Sequence, residues 1–264
     1  KSYMELNNAD SALSYYLQYK DEARQPNINV DRYIRMAVNA KTMYNSPMML
    51  QFQNLGEVLN SGNSEQAPVL STDGKMIFFA SSREVSGKES MMNPETGVNY
   101  LDIYFSQKDA SGNWQIPQLF EHNSKFDDMP MYITQDAKML YFARKDKKNY
   151  NLYSSAFVDG VWQQPKQLKG INTSFNEKSI SFSLDGNTMV YSSDRAGGNG
   201  KYDLYISTKN ASGKWSKPKN LGSSINTSFN EINPFVHPGG TRIYFASDGL
   251  DTKGMGGYDI FYCE

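Results

Sequence analysis

The apolar side chains Ala9, Ala12, Leu13, Tyr16 and Leu17 recur at i, i+3, i+4, i+7 and i+8, and Val30, Tyr33, Ile34, Ala37 and Val38 repeat the pattern. That period predicts two amphipathic helices within residues 1–46, punctuated by Pro26 and Pro47. From Met48 onward the pattern changes to short aromatic and β-branched runs separated by Gly, Ser, Asn and Asp, which reads as strands and tight turns. The turns are Ser71-Thr-Asp73-Gly74, Thr134-Gln-Asp136-Ala137, Ser183-Leu-Asp185-Gly186 and His237-Pro-Gly239-Gly240. Each is followed by a strand: Met76 to Ala80, Met139 to Ala143, Thr188 to Ser192 and Arg242 to Ala246. A third strand follows at Asp102-Ile-Tyr104, Asn151-Leu-Tyr153, Asp203-Leu-Tyr205 and Asp259-Ile-Phe261. A fourth is expected to begin at each Trp and run to Leu119, Leu168 or Leu221.

All three tryptophans lie in one phrase: Gly112-Asn-Trp114-Gln-Ile-Pro117, Gly160-Val-Trp162-Gln-Gln-Pro165 and Gly213-Lys-Trp215-Ser-Lys-Pro218. Their spacing of 48 and 53 residues marks an internal repeat. Four strands per repeat of this length predict a mainly β fold, a β-propeller with four visible four-stranded blades over residues 48–264. Gln53-Asn54-Leu55-Gly56 echoes Lys219-Asn220-Leu221-Gly222, so an outermost-type strand is expected to precede the first blade, whereas the fourth blade stops at Glu264 without one. On this reading the intact ring has five or six blades, and a chain whose first residue, Lys1, opens in mid-helix is a piece of a longer protein.

Charge and composition exclude more than they assign. With 27 basic and 28 acidic side chains the net charge is -1, which leaves no electrostatic footprint for nucleic acid and no polybasic membrane patch. No run of 18 apolar residues is present to span a membrane, and a single cysteine, Cys263, rules out an intrachain disulfide. No cofactor-binding motif appears.

Several phrases recur in order: Ile171-Asn-Thr-Ser-Phe-Asn-Glu177 and Ile225-Asn-Thr-Ser-Phe-Asn-Glu231, Ser193-Asp-Arg195-Ala-Gly-Gly198, Gly256-Gly-Tyr-Asp-Ile-Phe261 and the Trp-x-x-Pro phrase. Together they resemble the WD-repeat-like propeller of TolB, in the version found in OmpA-family envelope proteins of Bacteroidetes. Tyr3, Asn7-Asn8, Ala12 and Tyr16 are similar to a tetratricopeptide (TPR) helix pair, which typically precedes that propeller. The resemblance implies a non-enzymatic protein-interaction scaffold in the periplasm, associated with the outer membrane. It implies envelope proteins as partners, peptidoglycan bound only through an OmpA-like domain absent from this chain, and a possible place in type IX secretion or gliding. Blade two departs from the pattern: Ala137 replaces the turn Gly, Asn151 the Asp, and Lys145-Asp-Lys-Lys-Asn149 the Gly-Gly loop.

The candidate chemistry is sparse. Glu65, Asp128, Glu177 and Glu231 recur at the entry to each first strand, where a ring of carboxylates suits a cation or a basic peptide, or where each ties down backbone N–H groups at a blade junction. Recurrence with the blade favours the second role, and no metal site is assigned. His122 and His237 have no partner motif. The insertion between Arg83 and Tyr100 exceeds what the blade needs, and Met91, Met92, Asn93 and Glu95 in it are the partner-binding candidates. The rival reading is a glycan-binding or sialidase-like glycosidase propeller. Ser183-Leu-Asp185-Gly186-Asn-Thr188 spaces its Asp and Gly differently from an Asp-box, and no catalytic residue is assigned.

Overall fold

The computed structural model describes residues 4, 8–23, 29–47, 49–84, 92–94, 96–146, 148–250 and 253–264. Asn8 caps α1 (Ala9–Glu22) by accepting the Ser11 N–H at 3.0 Å, and Asn29 caps α2 (Val30–Tyr44) by accepting that of Arg32 at 3.1 Å. The two helices form a hairpin around Ala12, Tyr16, Val30 and Ala37, with the rings of Tyr16 and Tyr33 stacked 5.4 Å apart. Tyr3 and Asn7 of the TPR-like pattern lie outside the described residues.

Four antiparallel sheets follow. Blade one holds β1 (Glu65–Leu70), β2 (Met76–Ser81), β3 (Asp102–Gln107) and β4 (Gln118–Leu119). Blade two holds β5 (Asp128–Ile133), β6 (Met139–Asp146), β7 (Asn149–Val158), β8 (Val161–Trp162) and β9 (Lys166–Gln167). Blade three holds β10 (Glu177–Phe182), β11 (Thr188–Ser193), β12 (Asp203–Thr208) and β13 (Lys219–Asn220). Blade four has β14 (Glu231–Val236), β15 (Ile243–Ser247) and β16 (Asp259–Cys263). The molecule is a four-bladed propeller array with two helices at its N-terminus. Innermost strands β1, β5, β10 and β14 pack side by side in that order, and no comparable packing joins β14 back to β1. Together they line a central channel of about 370 Å³, with Gln66, Met129, Lys178 and Pro234 among its walls.

Two expectations about strands need correction. The fourth strand does not begin at the Trp: Trp114 and Trp215 make single bridges to Lys108 and Lys209, and pairing with the third strand spans only two residues. Pro117, Pro165 and Pro218 stand immediately before β4, β9 and β13 and lack the N–H that would extend the ladder. Likewise 53–56 is not a strand, because no third strand lies beside it; the first strand after the helices begins only at Glu65.

Blades join by interlocking faces. Val69, Phe78 and Ile103 of blade one meet Ile133, Leu140 and Phe142 of blade two. Tyr132, Tyr141 and Leu152 meet Phe182, Met189 and Tyr191 of blade three, and Val190, Leu204 and Ile206 meet Val236, Ile243 and Phe245 of blade four. Each large side chain removed from water this way contributes about 1.5–3 kcal/mol. Polar ties add to the last junction, where Ser179 and Ser181 Oγ accept the N–H groups of Asn233 and Val236, both at 3.0 Å.

The helix hairpin is seated on blade four. Arg32 donates to the Asp248 carbonyl with its guanidinium 4.1 Å from the centre of the Phe229 ring, and Asn39 Nδ2 donates to the Gly254 carbonyl at 3.0 Å. Gly249 stands where blade three has Arg195, and a Cβ there would lie 2.0 Å from Thr227 Oγ1.

Candidate functional site

The four recurring carboxylates do not converge; each is held inside its own blade. Glu177 is fully buried and accepts from Thr173 N and Oγ1 (both 2.9 Å), Ser193 Oγ (2.7 Å) and Arg195 Nη2 (3.1 Å). Glu65 repeats the set with Ser61, Ser81 and Arg83. Asp128 takes the Ser124 N–H and Arg144 Nε at 2.7 Å, with Arg144 standing at the serine's place. Glu231 uses Thr227 and Ser247, with Gly249 in place of the arginine. Burial works to raise the Glu65 carboxyl, but hydrogen bonds from Ser61, Ser81 and Arg83 outweigh it and hold the group below the usual carboxylate range. At fully enclosed Asp128 burial dominates and pushes the carboxyl up despite Arg144. Among the described residues no three His, Cys, Asp or Glu side chains gather around a common point. A Ser or Thr four residues before each carboxylate is the sequence signal for this arrangement.

In the insertion, Met91 and Glu95 lie outside the described residues. Asn93 is 8% exposed and closes a turn, its N–H donating to the Val98 carbonyl at 2.8 Å, whereas the Met92 side chain is 59% exposed. Met92 is therefore the described candidate that faces solvent. His122 Nε2 lies 2.8 Å from the Trp162 carbonyl and its Nδ1 3.2 Å from Gln164 Nε2; His237 Nδ1 accepts the Gly239 N–H at 3.0 Å inside its turn.

One feature that breaks the repeat lies where the channel strands begin. A tyrosine lies within two residues of the start of each third strand, at Tyr100, Tyr150, Tyr202 and Tyr258, a recurrence visible in the sequence. Blade three sets Lys178 against two of them, its Nζ 4.7 Å from the Tyr150 ring centre and 5.4 Å from that of Tyr202. Its counterparts are Gln66, Met129 and Ile232. Burial pushes the Lys178 ammonium below the ordinary lysine range, with Lys145 adding to the effect and Asp194 and Asp127 opposing it. A lowered pKa means that the free amine forms at lower pH. Acylation followed by mass spectrometry over a pH series should therefore give Lys178 a midpoint below those of the surface lysines; a coincident midpoint would contradict this environment.

The other departure is the outward face of blade four. Ile103, Leu152 and Leu204 hold one equivalent position in blades one to three and are all 0% exposed, yet Ile260, their counterpart, is 81% exposed. Phe235 and Tyr262 flank it, each more than half exposed, and Tyr244 lies between them in register. This is the face that the following blade covers at every other junction.

No family model matches the chain, and no curated protein matches it. Among solved structures it is similar to TolB from Acinetobacter baumannii (TM-score 0.49, 14% identity), covering 91% of this chain and 57% of that one. It is similar to an alpha-L-arabinofuranosidase from Lactobacillus brevis (TM-score 0.47, 15% identity, 76% of this chain and 73% of that one). It is also similar to a puromycin-hydrolyzing peptidase of Mycobacterium tuberculosis (TM-score 0.49, 12% identity, 78% and 28%). The chain thus spans 57% of the length of the Acinetobacter protein.

Proposed function

We propose that this chain is a non-enzymatic protein-interaction scaffold of a bacterial outer-membrane and periplasmic assembly. The observation that carries the reading is that Glu65, Asp128, Glu177 and Glu231 are each engaged within their own blade, which leaves surface contact as what the scaffold offers. No helix among the described residues is long and apolar enough to cross a membrane. The insertion is the contact, through Met91, Met92 and Glu95, whereas Asn93 is buried in its turn. The envelope location, the link to peptidoglycan through an OmpA-like domain, the TPR-like nature of residues 1–46 and a role in type IX secretion or gliding extend the same proposal from the sequence resemblance.

The test is affinity purification from envelope extracts with two baits, the parent chain and a deletion of residues 86 to 97. Thermal melts confirm that both are folded. The deletion is expected to lose a specific envelope protein recovered by the parent. Undiminished recovery, or turnover of a glycan or peptide by the purified chain, would overturn the scaffold reading.

A further inference from the structure

The junction of blades two and three carries a cleft of about 570 Å³, bounded by the turn that follows the innermost strand of each. Its floor is aromatic. Tyr132 and Tyr141 stand opposite each other on β5 and β6, and the Phe182 ring of blade three lies 4.9 Å from the first and 4.4 Å from the second. Asp136 and Lys138 from blade two and Asp185 from blade three form the rim with Lys209, whose Nζ is 4.9 Å from the Trp215 ring centre. Blades one and four flank these two, so both walls of the cleft are internal to the array.

A pair of hydroxyls sets this cleft apart. The positions of Tyr132 and Tyr141 hold Val69 and Phe78 in blade one, Ser181 and Val190 in blade three, and Phe235 and Tyr244 in blade four, so only blade two puts a hydroxyl at both. Both tyrosines are half-buried, and among the described residues neither phenol has a hydrogen-bond partner. Burial pushes both above the ordinary tyrosine range. Ser181, by contrast, commits its hydroxyl to the Val236 N–H, and Phe78 packs its junction without one. A half-buried hydroxyl left unpaired costs stability that a phenylalanine of the same shape avoids, so packing alone does not call for two of them. They are placed to bond something that enters the cleft.

The surroundings select the class of that ligand. Two carboxylates and two ammonium groups on the rim balance, which favours a neutral molecule. Asp136 Oδ1 accepts from Thr134 Oγ1 at 2.6 Å and from the Lys138 N–H at 3.1 Å; these bonds hold the carboxyl below the usual carboxylate range and leave its second oxygen to accept from a ligand. Asp73 makes the same bonds in blade one, so the carboxylate belongs to the turn and the phenols to the cleft. A sugar matches this combination, because its C–H face lies on aromatic rings while its hydroxyls, each both donor and acceptor, pair with phenols, carboxylates and ammonium groups around it.

We propose that the cleft between blades two and three binds a neutral sugar residue of a glycan, oriented by the hydroxyls of Tyr132 and Tyr141. The inference goes beyond the scaffold reading and stands whether or not the insertion between Arg83 and Tyr100 captures a protein. Isothermal titration of the full chain with maltotriose, cellotriose and chitotriose tests it, since these neutral oligosaccharides separate glucose-type from N-acetylglucosamine-type sources. Inorganic phosphate and tetramethylammonium, which a basic pocket or a cation cage would take, are titrated beside them. At least one oligosaccharide is expected to bind, and Tyr132→Phe and Tyr141→Phe are each expected to weaken it about five- to tenfold while leaving the thermal midpoint unchanged or higher. No saturable binding of any of the three up to about 10 mM, binding of phosphate or tetramethylammonium alone, or full affinity in the double phenylalanine variant would overturn the site. So would a lowered midpoint in both single variants, which would show that the hydroxyls serve the junction itself.

Discussion

Leu204→Ala is expected to destabilise the protein by about 2–5 kcal/mol, whereas Ile260→Ala is expected to change its stability by no more than about 0.5 kcal/mol in dilute monomer. The two residues occupy the same position in consecutive blades, and both are aliphatic side chains near the start of a third strand. What differs is the cover. Leu204 is closed in by Val236 and Phe245 of the next blade, so truncation leaves a cavity whose lining loses its contacts, while Ile260 faces water and leaves none. Thermal melts of the three proteins decide it: for a chain of this size 1 kcal/mol moves the midpoint by roughly 2–4 °C. Equal shifts for the two variants would mean that the blade-four face is covered after all.

Trp162→Ala should cost about 3–5 kcal/mol, and Trp114→Ala less than half of that. Trp162 is a wedge between blades one and two. Its ring stands edge-on to Phe78 at 5.6 Å and to Phe120 at 6.1 Å, and lies against Phe157 at 5.0 Å. Trp114 holds the same phrase in blade one, but no blade stands on its far side; it packs on the Leu59, Phe79 and Tyr104 cluster and carries Lys108 over its ring at 4.8 Å. Urea denaturation of both variants measures the difference, and equal losses would show that the Trp phrase stabilises its own blade rather than the junction.

Much of this architecture was legible in the sequence because a propeller writes its core in a repeat. The turns at Ser71, Thr134, Ser183 and His237, the second strands after them and the third strands near Asp102, Asn151, Asp203 and Asp259 all lie where period-two patterning and turn residues place them. The fourth strand was read too long, since propensity sees Trp114 and Ile116 as strand formers but not the missing Pro117 N–H at the edge. Residues 53–56 were read as a strand by likeness to 219–222. A strand, however, exists only against a partner, and the likeness captured the turn instead. The arginines that serve Glu65, Asp128 and Glu177 escaped notice because Arg144 sits two residues away from the place of Arg83 and Arg195. Lys178 and the exposed Ile260 were beyond reach for a different reason. Each is unremarkable as a letter and significant only by what its three counterparts do.

The seat of the helix hairpin sets an order on folding. Each blade is assembled from contacts within about one repeat, so blades one to three have most of their partners as soon as they are synthesised. The hairpin emerges first, but its hydrogen bond from Arg32 to Asp248 closes across 216 residues, and that from Asn39 to Gly254 across 215. On a ribosome adding about 5–20 residues per second, α1 and α2 therefore wait on the order of ten seconds or more for the surface that receives them. Through that interval Arg32, Asn39 and the underside of α2 remain open to whatever binds nascent chains, and the hairpin settles after blade four although it is made before it.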